Sequence, residues 1–233
     1  NLLTDQVEFA NVIVLNKVDL VDTDHLGILR STLKKLNPSA RIVETNFSEV
    51  DPKSILHTGL FDFEEAEESA GWIAELNKEE HTPETEEYGI GSFVFRSSLP
   101  FHPERFWAYF HDRFPANIIR SKGLFWIASR PDQALIWGQA GGSIRTDSAG
   151  VWWASMSFGE RADSMVFLEN QKEIEASWDP LFGDRKVELV FIGQHLYEAG
   201  IRRDLEACLV KTEDLPFNWM SGYPDAWPVE RTS

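Results

Sequence analysis

The chain has 233 residues, of which 42% are hydrophobic, and it carries a formal net charge of −16. This composition fits one large globular domain or two small ones and excludes a disordered chain. The negative charge argues against nucleic acid and anionic membranes as partners, and no apolar run reaches the ~20 residues of a membrane-spanning helix.

The first predicted element is a strand that ends in an unusual polar turn. The run "VIVL", residues 12–15, predicts a strand buried on both faces, and Asn16-Lys17-Val18-Asp19 follows it. Such a strand delivers its carboxyl end to the ligand crevice of an α/β sheet. Asn-Lys-x-Asp at this place is the guanine-reading motif of P-loop GTPases. The alternative is an ordinary strand-to-turn junction with polar residues.

Each residue of this motif suits one part of the guanine base. The Asp19 carboxylate can accept both the ring N–H and the exocyclic amino group, a paired contact that adenine cannot match. The Asn16 amide can bond the other edge of the base, and the Lys17 stem can lie along its face. We therefore predict guanine binding by Asn16, Lys17 and Asp19.

The remainder of residues 1–60 predicts an α/β unit. "TDHLGILRSTLKKL" has leucines at helical spacing (Leu26, Leu29, Leu33 and Leu36), with Asp22 or Thr23 as its N-cap and Asn37-Pro38 as its end. "ARIVET" predicts a second strand, and "DPKSIL" predicts the start of a further helix. This alternation is typical of a parallel sheet, and the segment is too short to form a complete α/β domain.

A change of composition separates this unit from a second domain. Residues 61–91 are rich in Asp and Glu and predict an acidic linker, in which Trp72, Ile73 and Leu76 could dock. His81 could bind a metal cation there, although a plain solvated linker is the better interpretation. Residues 92–212 then predict the second domain, and residues 213–233 an aromatic and proline-containing tail.

The second domain is predicted to be α+β, with helices on a mainly antiparallel sheet. Its first strand is residues 92–97, and Pro103 opens a helix with an aromatic face. Three more strands are predicted in "NIIRSKGLFWIASRP", "ALIWGQAGGSIR" and "GVWWASM", and a fifth in "VELVFIG". "EAGIRRDLEACLV" predicts the last helix. The glycines at 138, 141 and 142 precede no helix, so a β-turn is preferred to a phosphate loop.

Three side chains of this domain are candidates for docking or anion binding. Arg120 and Lys122 are two residues apart on a strand and share one face, where they could bind a phosphate, a client carboxylate or acidic groups at the domain boundary. The alternative is a solvated edge. His102 could cap the helix that follows it, accept a proton or ligate a metal, with capping or packing preferred. Cys208 is the only cysteine, which indicates packing and a reducing, cytoplasmic location.

The chain resembles the CobW-type metallochaperone GTPases over nearly its whole length. The resemblance rests on "QVEFANVIVLNKVDLV", "YGIGSFVFRSSLPFHPERFW", "IIRSKGLFWIASRPD", "GQAGGSI", "DRKVELVFIGQHL" and "LEACLVKTEDLPFNW". It implies the C-terminal part of a P-loop GTPase domain followed by the CobW C-terminal domain. It also implies GTP with Mg²⁺ as cofactors, Zn²⁺ or Co²⁺ as cargo, and a metal-dependent client protein as partner.

The chain departs from the family pattern in what it lacks. It contains neither G-x-x-x-x-G-K-[ST] nor the family's Cys-x-Cys-Cys metal motif, so no residue is assigned to phosphate, Mg²⁺ or cargo metal. We therefore expect the sequence to be a fragment of a longer polypeptide that does not hydrolyse GTP alone. A nucleotide-independent interaction module is the second functional hypothesis.

Overall fold

The N-terminal unit consists of two parallel strands and two helices. The structure is a computed structural model, and it describes residues 2–60, 73, 76, 87–211, 223–225 and 227. The unit comprises α1 (Leu2–Glu8), β1 (Val12–Asn16), α2 (Thr23–Leu36) and β2 (Arg41–Thr45). Val12 lies opposite Arg41 and Asn16 lies opposite Thr45, so both strands end at the same edge. This edge presents the Asn-Lys-x-Asp turn.

The boundaries of α2 follow the predicted capping residues. The Asp22 side chain accepts a hydrogen bond from the His25 N–H at 2.9 Å, and the Asn37 N–H donates to Leu33 beyond the last turn. The predicted leucine face is only partly correct, because Leu29 is 41% exposed whereas Gly27 is buried.

Two predictions for the N-terminal unit need correction. Strand β1 is not buried on both faces, because Val14 is exposed and the other residues of the strand are only partly buried. The helix predicted from "DPKSIL" is a single 3₁₀ turn, Pro52–Ser54, with Asp51 as its cap. Proline at the first turn was a correct signal for a helical start but not for its length.

The C-terminal domain is built on a five-stranded sheet in which every neighbouring pair is antiparallel, in the order β3-β7-β4-β5-β6. The strands are β3 (Ile90–Ser97), β4 (Ile118–Phe125), β5 (Gln133–Ala140), β6 (Ser143–Val151) and β7 (Val187–Gln194). The helices are α3 (Pro103–Asp112), α4 (Phe158–Ala162), α5 (Met165–Ala176) and α6 (Glu198–Cys208). The predicted α+β class is confirmed.

The number of strands was predicted correctly, but their division along the chain was not. "ALIWGQAGGSIR" is not one strand, because Gly141 and Gly142 form the two-residue turn between β5 and β6, as the glycine pattern predicted. "GVWWASM" contains only the end of β6, and Trp153–Ser155 form a 3₁₀ turn. Helices α4 and α5 were not predicted.

Both faces of the sheet are covered at β3 and β7, although antiparallel sheets often leave one face to water. On β3 and β7, Phe93 and Phe191 point into the large aromatic core beneath α3 and α6. Their neighbours Val94 and Val190 point the other way and pack with Leu36 of α2. The period of two along a strand therefore divides the sheet between a domain core and a contact with the N-terminal unit.

The segments on either side of this domain are described only in part. Leu76 packs against the α2-side cluster, while most of the acidic linker and His81 lie outside the described residues. Trp227, from the predicted tail, is 3% exposed and packs in the aromatic core. None of the described helices combines the length and the apolar character needed to cross a bilayer.

Candidate functional site

The Asn-Lys-x-Asp turn leaves β1 through a left-handed residue. Lys17 has φ 63 and ψ 35, and a short 3₁₀ turn, Val18–Leu20, follows it. The Leu20 N–H donates to the Lys17 carbonyl at 3.1 Å. Lys17 and Asp19 are exposed and Asn16 is partly buried. A non-glycine residue in the left-handed region is uncommon and is a recurrent feature of ligand sites.

The loop that follows β2 is fixed to this turn by three hydrogen bonds. The Asn16 side chain accepts from the Ser48 N–H at 3.0 Å and donates to Ser48 Oγ at 2.9 Å. The Asp19 N–H donates to Asn46 Oδ1 at 3.0 Å. The two strand ends are thereby joined into one rim. The sequence did not indicate Asn46 and Ser48, because they are about thirty positions from the residues that they bond.

The groups left available in this turn suit a guanine base. The Asp19 carboxylate is exposed and makes no hydrogen bond within the described part of the chain, so both of its oxygens can accept. Asn16 uses one amide hydrogen on Ser48 and keeps a second for a ring acceptor. The hydrogen bond from the Asp19 N–H to Asn46 Oδ1 holds the backbone of the turn at Asp19. The structure thus brings Asn16, Lys17 and Asp19 together in one exposed turn.

Arg120 lies in a buried contact between β4 and α1. Its Nε and Nη2 donate to the two oxygens of Glu8 at 2.7 and 3.0 Å, and Nη2 also reaches Asp5 at 3.2 Å. The side chains of Arg120 and Glu8 are only 3% and 1% exposed. The solvated-edge alternative therefore does not hold for Arg120, which joins the two units of the chain.

Lys122 lines a cleft of about 280 Å³ beside this ion pair. The cleft is also bordered by Asp5, Arg120, Arg145 and Asp147, and the last two form an ion pair at 2.6 Å. Burial lowers the pKa of the Lys122 ammonium below the usual lysine value, because desolvation disfavours its charged form, and the Glu8 carboxylate acts in the opposite direction. Lys122 and Arg120 share one face, as their spacing predicted.

His102 lies elsewhere and is not among the residues that line this cleft. It occupies the N-cap position of α3, but its side chain makes no capping hydrogen bond. Its ring packs edge-on against Tyr223, with the ring centroids 5.0 Å apart. Its backbone N–H donates to the Cys208 carbonyl at 2.8 Å. In the described part of the chain, no cluster of three or more His, Cys, Asp or Glu side chains could hold a metal ion.

The fold thus defines the class of protein as an α/β unit with an exposed Asn-Lys-x-Asp turn, joined to an α+β domain. Two family models match these units separately. The model described as "Cobalamin synthesis protein cobW C-terminal domain" matches residues 90–209, and the one described as "CobW/HypB/UreG, nucleotide-binding domain" matches residues 1–44. The first match covers just over half of the chain. The chain belongs to the CobW family.

Several relatives resemble the chain over most of its length. Zinc-regulated GTPase metalloprotein activator 1 of Dictyostelium discoideum is 41% identical, covering 92% of this chain and 45% of the relative. A zinc chaperone of Mycobacterium tuberculosis is 29% identical, covering 93% and 51%. The solved structure of Zn(II)-bound YjiA GTPase from E. coli is 18% identical, with a TM-score of 0.43, covering 89% of this chain and 54% of that one. The chain spans about half the length of the curated relatives.

Proposed function

We propose that this chain supplies guanine recognition and the C-terminal domain of a GTP-dependent zinc chaperone that acts on a metal-dependent client in the cytoplasm. The observation that carries the proposal is the exposed Asp19 carboxylate, which stands in the turn after β1 and makes no hydrogen bond within the described part of the chain, while the Asp19 N–H holds the turn to Asn46. Relatives named as a zinc-regulated GTPase and a zinc chaperone support zinc as the cargo. Cobalt is the second candidate cargo.

Within this function, the residues of the turn take separate roles. Asp19 accepts from the ring N–H and the exocyclic amino group of guanine, and Asn16 donates its second amide hydrogen to the opposite edge. The Lys17 stem covers part of a base face. GTP enters with Mg²⁺, but we assign no residue of this chain to phosphate, Mg²⁺ or zinc, since the sequence has no motif for them.

The C-terminal domain has the role of converting the nucleotide state into client affinity. Such conversion requires a physical connection between the two units. The pair between Arg120 and Glu8 supports that connection, because α1 leads directly into β1, which ends at the base site. Lys122 lies on the same strand face and contributes a second cation. The C-terminal domain would then bind the client in one nucleotide state more tightly than in the other.

Replacement of Asp19 tests the base assignment. The test uses the full-length natural polypeptide that contains this sequence and measures competition of GTP, XTP and ATP against a fluorescent GTP analogue. In Asp19→Asn, the carboxamide can donate to the 2-oxo group of xanthine but cannot accept from both guanine donors. We expect GTP affinity to fall by about 10- to 150-fold, as for lost hydrogen bonds to a charged group, and XTP affinity to rise.

Asp24→Asn is the matched control, because Asp24 is an exposed carboxylate in the first turn of α2 outside the motif. It should leave the GTP/XTP ratio unchanged. If the wild-type protein bound ATP as tightly as GTP, and Asp19→Asn changed neither affinity, the guanine assignment would be wrong. Failure of the wild-type protein to bind any of the three nucleotides would instead favour the nucleotide-independent interaction module.

A further inference from the structure

We propose that Phe47 stacks on a face of the bound nucleobase; this inference rests on the proposed guanine site. Phe47 is 86% exposed, more than any other large hydrophobic side chain in the described part of the chain. It lies in the loop after β2, between Asn46 and Ser48. A single exposed apolar side chain is normal by itself, so the assignment depends on how this loop is built.

The loop holds Phe47 in an unfavourable backbone conformation. Phe47 has φ 53 and Ser48 has φ 60, so two consecutive non-glycine residues are left-handed. This region disfavours residues with a Cβ, and bulky residues are especially rare there. The conformation is maintained by the hydrogen bonds between the Asn16 side chain and Ser48 and by the one from the Asp19 N–H to Asn46. The same hydrogen bonds that join the loop to the Asn-Lys-x-Asp turn therefore fix the position of an exposed phenyl ring.

The position of the loop matches the part of the base that the motif leaves uncovered. Asn46 is hydrogen-bonded to the backbone of Asp19, whose side chain would bind one edge of guanine. Ser48 is hydrogen-bonded to Asn16, whose side chain would bind the other edge. Phe47 stands between them in sequence. Hydrogen bonds to the two edges do not cover the flat faces of the purine. The Lys17 stem is assigned to part of one face, and an aromatic ring is well suited to cover the other. Stacking would also remove the exposed ring from water.

Stacking and edge recognition make different predictions for selectivity. A ring that contacts the π-face does not distinguish one purine from another, whereas a carboxylate on the edge does. Loss of Phe47 should therefore lower the affinities for GTP, XTP and ATP by a similar factor and keep the order of these affinities. Loss of the Asp19 carboxylate should instead change that order. The two contributions can thus be separated in one competition assay.

The test measures competition of GTP, XTP and ATP against a fluorescent GTP analogue, in the full-length natural polypeptide, for four variants. Phe47→Ala should weaken all three nucleotides by about 5- to 150-fold, the range found when a base-stacking aromatic is truncated. Phe47→Tyr keeps the aromatic ring, so its affinity for each nucleotide should remain within about threefold of the wild-type value. Phe158→Ala removes a phenyl ring that is 80% exposed in the C-terminal domain and should change nothing. Asp19→Asn reports on the edge contacts.

The possible results separate this inference from the function on which it rests. If Phe47→Ala binds GTP as tightly as wild type while Asp19→Asn shifts preference to XTP, the stacking role is overturned and the guanine site stands. If Phe47→Ala changes the GTP/XTP ratio, or Phe47→Tyr fails to restore affinity, the residue acts by positioning the edge contacts, and stacking is again wrong. If no variant matters and ATP binds as well as GTP, both proposals fall.

Discussion

The two carboxylate oxygens of Glu8 accept hydrogen bonds from Nε and Nη2 of Arg120, at 2.7 and 3.0 Å, across 112 residues of sequence. Both side chains are almost completely buried. Burial of either charge alone would be strongly unfavourable, but a paired and forked geometry offsets the loss of hydration. The contact therefore fixes helix α1, and the start of β1 behind it, against strand β4 of the C-terminal domain.

Removal of one member of this pair should destabilise the protein. Arg120→Ala leaves the Glu8 carboxylate buried without its main partner, and we expect a loss of about 3–5 kcal/mol in the free energy of unfolding. Glu8→Gln keeps the shape and one acceptor oxygen and should lose less. The measurement is urea unfolding at neutral pH, with both single variants and the double variant, so that the coupling energy follows from the cycle.

Arg203→Ala serves as the control for this prediction. Arg203 is 71% exposed and its ion pair with Asp204 spans 3.6 Å, so its removal should change stability by about 0.5 kcal/mol or less. A loss of similar size in Arg120→Ala and Arg203→Ala would contradict the burial of the Arg120–Glu8 pair.

Gly123 on β4 should not tolerate a side chain. Its φ is +150, and a Cβ at this position would clash with the backbone carbonyl oxygen of Glu188 on β7. The nearest atoms of Glu188 and Leu189 all belong to the backbone, so the clash could be relieved only if the two strands moved apart. We expect Gly123→Ala to lower the free energy of unfolding by at least about 2 kcal/mol. The close approach that glycine permits here is to a neighbouring strand rather than to a ligand.

The neighbouring strand supplies a matched comparison for Gly123. A Cβ at Gly138 on β5 would have its nearest neighbour, the Arg145 carbonyl oxygen, at 4.0 Å. Gly138→Ala should therefore be nearly neutral in the same unfolding experiment. Equal destabilisation by both substitutions would point to a general loss of sheet stability and would contradict the specific clash at Glu188.

The thiol of Cys208 should be unreactive in the folded protein. Burial raises its pKa to about 11 from the usual 9.0, although Arg113 and Arg105 act in the opposite direction. Below pH 9 the folded protein should thus hold about 100-fold less thiolate than the unfolded chain. Alkylation by iodoacetamide at pH 8 should be at least that much slower in buffer than in urea. Comparable rates in the two solutions would contradict the burial of this thiol.

The same pKa determines a change of stability at alkaline pH. Well below pH 9 the thiol is almost fully protonated in both states. Between about 9 and 11 the unfolded chain releases the proton while the folded protein keeps it, so stability falls as pH rises. Wild type should lose more stability than Cys208→Ala between pH 9 and 11, as measured by urea unfolding. Parallel losses in the two proteins would mean that Cys208 does not contribute to this change.

Local features of the sequence predicted the structure better than distant ones did. The Asp22 cap and the Gly141-Gly142 turn depend on residues a few positions apart, so spacing alone located them. The exposure of Leu29 was missed because α2 turns Gly27 towards the domain interface, where a Cβ would clash with the ring of Tyr88, 61 positions later. Nothing in the local pattern distinguishes such a glycine from one on a free helix surface.

For the candidate site too, the sequence predicted the grouping of nearby residues but not the contacts between distant ones. Asn16, Lys17 and Asp19 lie within four consecutive positions, so their grouping in one turn followed from the strand that precedes them. Glu8 gave no signal, because an acidic residue on a short helix is ordinary until β4 brings Arg120 onto it. The spacing of Arg120 and Lys122 showed that they share a face, but what covers that face depends on tertiary packing.

The last prediction concerns signal transfer between the two units. If nucleotide binding at the end of β1 is transmitted through α1, it should alter hydrogen exchange of amides in β4, Ile118–Phe125. In the full-length natural polypeptide, we expect a GTP analogue and GDP to give β4 protection factors that differ by about 5- to 150-fold, the usual range of coupling between sites. Arg120→Lys keeps a cation but cannot donate the two parallel hydrogen bonds to Glu8, so it should abolish this difference.

The exchange pattern within each variant distinguishes coupling from general loosening of the fold. In Arg120→Lys, amides of the Asn-Lys-x-Asp turn should still respond to nucleotide, because their ligand contacts are intact, while β4 no longer follows them. Arg145→Lys alters a 69% exposed arginine at the same cleft and should retain the β4 response. If β4 in Arg120→Lys still distinguished the GTP analogue from GDP as in wild type, the Arg120–Glu8 pair would hold the two units together without carrying the nucleotide signal between them.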